Sequence, residues 1–176
     1  MPRFGGVFRI TQTKMKYHYL TLTLLSFAFV APVSAKTRYS GEFDYHDFEP
    51  SAVYFHGRTR AEIDHLCKTA EHASTEDLEE CEHRGFERAV DALNRKVTAL
   101  TAQIKKNDEQ YAKPDDEPVA LPSFLKSQAA WVQYRDNYCY SAAYDMGPGS
   151  EKYIRFFICM SDMTRARTKE LGQFDD

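Results

Sequence analysis

Four cysteines, Cys67, Cys81, Cys139 and Cys159, are the residues of this chain best suited to covalent chemistry, and their spacing restricts what that chemistry is. They form an even set with three possible pairings. Cys67 lies six residues before Ala73 and Cys81 six after Thr75, whereas Cys139 lies eight before Gly147 and Cys159 nine after Ser150. If each interval is a turn between antiparallel helices, residues equidistant from it face one another within the short Cα–Cα reach of a disulfide. The spacing therefore predicts Cys67–Cys81 and Cys139–Cys159. Each bridge closes a loop of about 15–20 residues, and the chain-entropy account gives it roughly 3 kcal/mol. A metal is the rival use of the first pair: with His65, His72 and His83, these thiols supply enough ligands for tetrahedral zinc. No CxxC or HxxxH spacing supports that use, so the expectation is two disulfides, no metal and no cofactor.

Acid–base chemistry finds less support. Asp115, Asp116 and Glu117 sit in a linker by composition, and Glu79, Glu80 and Glu82 flank an apolar seam as a solvated face does. There is no GxSxG, HExxH, P-loop or GxGxxG, so the chain is expected not to be an enzyme. Gly147-Pro148-Gly149-Ser150 has the small residues of an anion-holding loop, but its proline removes a backbone donor and the segment reads as a turn. The most distinctive cluster is Trp131, Tyr134, Arg135 and Asp136. Trp131 and Arg135 are one helical turn apart, which brings the guanidinium near the indole and within reach of Asp136 or Asp162. The expected role is packing around a satisfied interior arginine.

The elements that must carry these residues are helices. Residues 36–58 hold Tyr39, Phe43, Tyr45, Phe48, Tyr54 and Phe55 among Asp44, Asp47 and Glu49, in no clean period and broken by Gly41, Pro50 and Gly57; this is an irregular arm with room for a short strand. Thr59 and Glu62 form a capping-box pair for a helix from about Arg60 to His72. Ser74 or Thr75 caps a second, with Glu76 and Asp77 in its first turn and an apolar seam through Phe86, Val90, Leu93, Val97, Leu100 and Ile104, ending near Tyr111. After a linker at Lys113–Pro118, Ser123 is the expected N-cap of a third helix that stops at Gly147, and a fourth runs to Gly172. The fold class is all-α: two disulfide-stapled antiparallel helical hairpins in a small bundle, residues 59–176, with the arm in front.

Residues 1–35 have Arg3, Arg9, Lys14 and Lys16 and no acid. A lysine at Lys16, an apolar run from Leu20 to Val30 and Val33-Ser34-Ala35 make a secretory signal, with residues 1–14 an extension or an upstream start. Its apolar run is shorter than the roughly 20 residues a spanning helix needs. Position 36 is Lys, which leaves no attachment point for a lipoprotein anchor. Its removal changes a net charge of −3 to 19 basic against 26 acidic side chains, or −7. The expected product is periplasmic or secreted, without a membrane anchor, and has no basic block for nucleic acid. An oxidising compartment also suits the two disulfides.

Gln128-Ala129-Ala130-Trp131-Val132-Gln133-Tyr134-Arg135-Asp136-Asn137-Tyr138-Cys139, the turn at Gly149-Ser150, Cys159, and Thr164-Arg165-Ala166-Arg167-Thr168 before Leu171 together resemble the LprI-type lysozyme-inhibitor family. That family shows a Q-x-x-W-x-x-[YF]-R-D-x-x-C block and a closing T-x-x-R-x-x-x-L. Cys67, Cys81 and Ala92-Leu93-Asn94 resemble its first cysteine pair and its A-x-L-N helix, so the resemblance spans about Cys67 to Leu171. It implies structural roles for Gln128, Trp131, Tyr134, Arg135, Asp136, Arg165 and Leu171. It also implies a protein partner, a lysozyme-like muramidase, which a chain of −7 would meet by steering toward a basic surface. Phe43, Asp44, Tyr45, Asp47 and Phe48 of the arm, and the turn from Asp145 to Ser150, are the expected contact residues. The rival function is a non-inhibitory envelope module, an immunity or adaptor protein for another secreted protein.

Overall fold

Asp44 accepts a hydrogen bond from the backbone N–H of His46 and so starts a 3-10 turn, Tyr45–Asp47. Pro50 then opens a one-turn helix α1, Ser51–Tyr54. The arm is therefore wound into two short helical turns, and no strand occurs among the described residues. The protein is described here by a computed structural model over residues 40–111 and 118–173. The expected leader, the first four residues of the arm and all of the linker but Pro118 lie outside those residues.

Four longer helices follow. Thr59 and Glu62 form the expected capping box and begin α2, Arg60–Thr69. Ser74 and Asp77 cap each other at the start of α3: the Ser74 amide donates to Asp77 Oδ2 (3.0 Å) and the Asp77 amide to Ser74 Oγ (3.0 Å). Helix α3, Thr75–Tyr111, runs unbroken through Gly85. The third long helix starts earlier than Ser123 suggests. Asp108 on α3 accepts from the amides of Ala120 and Leu121, both at 2.9 Å, so a carboxylate from a neighbouring helix caps α4, Leu121–Tyr144. Pro122 falls in the first turn, where its missing N–H costs nothing. Helix α5, Glu151–Gly172, closes the fold.

Both disulfides form as the spacing predicts, with Cα–Cα distances of 5.3 Å for Cys67–Cys81 and 5.6 Å for Cys139–Cys159. Two apolar clusters hold α3, α4 and α5 together. Phe86, Cys139, Ala143, Phe156, Phe157 and Met160 make one; Leu93, Leu100, Ile104, Phe124 and Leu171, with Val97, Leu121 and Trp131 against them, make the other. Burying each large side chain stabilises the bundle by about 1.5–3 kcal/mol. No helix among the described residues is long and apolar enough to cross a membrane.

Candidate functional site

Arg135 is 5% exposed and sits where α4, α5 and the arm meet. Its Nε donates to Asp136 Oδ1 (2.8 Å), Nη1 to Thr164 Oγ1 (3.3 Å) and Nη2 to the Tyr45 hydroxyl (3.4 Å). The guanidinium also lies 5.3 Å from the ring centroids of both Phe86 and Trp131. A buried cation is tolerated when its donors are paired and aromatic faces replace its water, and here both conditions hold. Tyr45 donates in turn to Asp136 Oδ2 (3.3 Å), and burial, followed by the Asp136 charge, raises the phenol pKa to about 12. The cluster ties α4 to α5 and to the arm.

Arg167 extends it. Its guanidinium lies 5.9 Å from the Trp131 centroid, Nε donates to Gln128 Oε1 (3.3 Å) and Nη1 pairs with Glu170 (2.8 Å). Arg165, expected in this role, is exposed and pairs with Asp162 at 3.3 Å. The reason is helical phase: position 167 is three residues on from Thr164, the spacing of the T-x-x-R motif, whereas 165 points away from α4. Tyr134 is 59% exposed, beside Tyr138, and Leu171 is buried in the second cluster.

The arm packs inward. Phe43 lies edge-on to Tyr140, Tyr144, Tyr153 and Phe156 at centroid distances of 4.7–5.7 Å, and Phe48 meets Tyr153 and Phe157 at 5.4 and 5.2 Å. Hydroxyls of α4 accept the arm's amides: Phe43 N–H to Tyr144 (3.3 Å) and Tyr45 N–H to Tyr140 (3.0 Å). Lys152, only 2% exposed, donates to the Gly41 carbonyl at 2.9 Å among the rings of Phe43, Tyr144 and Tyr153, and burial pulls its pKa down. Sequence reasoning misses Lys152, because a lysine in a first helical turn reads as solvated. The three arm rings thus become a wall of the first apolar cluster, while Asp44, Asp47 and Asp145 stay exposed. A shallow groove of about 440 Å³ runs between Asp44, Asp136, Tyr140 and Tyr144. Ser150 is half-buried at the N-cap of α5 and makes no side-chain cap bond.

The turn between α2 and α3 is of another kind. Ala70 and His72 have φ of 55° and 57°, the positive-φ residues other than glycine among those described. Such backbone costs of order 1–3 kcal/mol per residue, and surrounding structure must hold it. Here the Ala70 amide donates to Leu66 O (2.8 Å), the Glu71 amide to Thr69 Oγ1 (3.2 Å) and the Ala73 amide to Ala70 O (3.2 Å), with the disulfide behind them. The His72 side chain is 93% exposed, and Glu71 lies 3.8 Å from both it and His65. Because Cys67 and Cys81 are bonded to each other, the zinc alternative loses both of its thiolates, and no metal-holding cluster occurs among the described residues. Helix α2 is anchored by Asp64, which takes Arg84 Nη1 at 2.8 Å and Arg88 Nη2 at 3.3 Å. Those hydrogen bonds, Arg84's first, hold the Asp64 pKa below its ordinary value.

Residues 67–171 match the family described as Lysozyme inhibitor LprI. The chain belongs to that family. It is also 30% identical over 108 residues to an uncharacterized protein of Rhizobium meliloti (strain 1021), an alignment covering 61% of this chain and 76% of the relative. No solved structure matches it. The LprI match begins at Cys67 and ends at Leu171, so it contains both disulfides, Arg135 with its partners Asp136 and Thr164, and the whole α2–α3 turn. The arm lies before it.

Proposed function

We propose that this protein is exported, loses residues 1–35, and in the cell envelope binds and inhibits a lysozyme-like muramidase without being an enzyme itself. The family match over residues 67–171 is the observation that carries this reading. Charge supports it: without the leader the chain is −7, and Asp44 and Asp47 of the arm are exposed, as is Asp145 at the α4–α5 turn. Exposed carboxylates steer a basic partner and raise its association rate in a salt-dependent way. The arm rings Phe43, Tyr45 and Phe48 serve that surface by holding it against the bundle. The mature chain needs no cofactor and no lipid anchor for this role.

The test is inhibition of a basic lysozyme by the mature chain at micromolar concentration, at low and at physiological salt. Inhibition that weakens as salt rises is the expected result. A chain that leaves several lysozymes fully active in low salt overturns the reading.

A further inference from the structure

We infer that the α2–α3 turn, residues 69–74, is the element that enters the muramidase cleft, with His72 presented to the carboxylates there. The inference rests on the lysozyme reading above and deepens it. Glycoside hydrolases cut between a pair of Asp or Glu side chains in a concave site. An element that fills such a site must be convex, exposed, rigid, and tipped by a donor.

The molecule offers two disulfide-stapled turns. The α4–α5 turn carries Gly147, Pro148 and Gly149 with Asp145 exposed at its edge, and its inner side is backed by Gly41 and Glu42 of the arm. It brings no donor side chain to its tip. The α2–α3 turn meets each requirement. Its left-handed residues are Ala70 and His72, where glycine would be the easy choice, and its side chains stand in solvent. Imidazole N–H groups donate to carboxylates, and the loose 3.8 Å contact of His72 with Glu71 is readily given up for a pair of acids. The Cys67–Cys81 bridge and the turn's own hydrogen bonds fix this shape before any partner arrives, which lowers the ordering cost of binding. The turn also lies inside the stretch shared with the family, and the arm does not.

The experiment measures the inhibition constant of the mature chain against a basic lysozyme for the unmodified protein, for His72→Ala, and for Met146→Ala in the other turn, with thermal melting of each. His72→Ala is expected to weaken inhibition at least tenfold, through faster dissociation, with melting unchanged because the side chain touches no core residue. Met146→Ala is expected to stay within twofold. If the unmodified protein inhibits and His72→Ala inhibits equally well, the turn is not the inserting element and the lysozyme reading stands. If the unmodified protein inhibits no lysozyme, the lysozyme reading falls and takes this inference with it.

Discussion

Cys139 is fully buried beside Phe156, Phe157 and Met160 and its partner Cys159 is half-buried against the same cluster, whereas Cys67 and Cys81 are both half-exposed and join α3 to a helix with no buried residue. The loops they close are comparable, 20 and 14 residues apart in sequence, so the entropic gain of the two bridges is similar. What differs is the material around them. The second staple lies in an apolar core built from α3, α4 and α5, and the arm seals that core from outside. The first has few apolar contacts to reinforce it and instead fixes the shape of an exposed turn. A disulfide can therefore serve architecture in one hairpin and presentation in the other.

The largest test of this contrast removes the buried staple. Cys139→Ala with Cys159→Ala is expected to cost about 4 kcal/mol, since a cavity in the first apolar cluster adds to the lost constraint. Urea unfolding measures it, and a cost no larger than that of removing the other bridge would erase the distinction. Next, Arg135→Met should cost roughly 3 kcal/mol, because it leaves the Asp136 carboxylate and the Tyr45 hydroxyl without the guanidinium they face. Hydrogen exchange should then quicken at the amides of Phe43 and Tyr45 and leave α2 unchanged. Removing the exposed staple, Cys67→Ser with Cys81→Ser, should cost about 3 kcal/mol with no cavity cost added, and faster exchange should be confined to residues 60–73. Faster exchange spreading into α5 would show that this bridge also supports the core.

The smallest effects are those of pH. In the α2 region, hydrogen bonds hold the carboxyl of Asp64 below its ordinary value; in Asp77 burial, which raises it, is outweighed by bonds from Ser74 and Tyr54 and by the Arg58 charge. Their contribution is present above the ordinary Asp range and is lost as pH falls through the folded values. Tyr45 behaves in the opposite sense. Its pKa is raised from 10.0 to about 12, so the folded state keeps a proton that the unfolded chain releases, and stability falls as pH rises across that interval. Acid should weaken both the Asp64 anchor of α2 and the Asp44 cap of the arm, alkali should loosen the arm at Tyr45, and Tyr45→Phe should flatten the alkaline loss seen in melting curves.

Much of this was legible in sequence where partners lie close along the chain. The seam from Phe86 to Ile104 shows its period, the Thr59–Glu62 box marks a helix start, and equal distance from a turn identifies the cysteine pairs. What escapes is whatever depends on distant residues. Phe43, Tyr45 and Phe48 follow no period because their partners belong to α3, α4 and α5, and α4 is capped by Asp108 in place of Ser123. Lys152 is buried only because the arm lies over it. The backbone at Ala70 carries no sequence signal, and at His72 the only one is histidine's modest enrichment at positive φ. Arg167 was within reach, because the T-x-x-R spacing already singles it out from Arg165.

The seating of the arm has a kinetic side. Phe43 meets Tyr144 across 101 positions of chain, and Tyr45 meets Tyr140 across 95. Helices form from near neighbours in microseconds, but contacts between distant positions wait for the intervening segments to be arranged. The arm is made well before the residues that receive it, and it reaches its seat only after α4 and α5 have come together. Until then the Phe156 end of the core stays open to water, so closure by the earliest-made part of the domain is expected to be the last event of its folding.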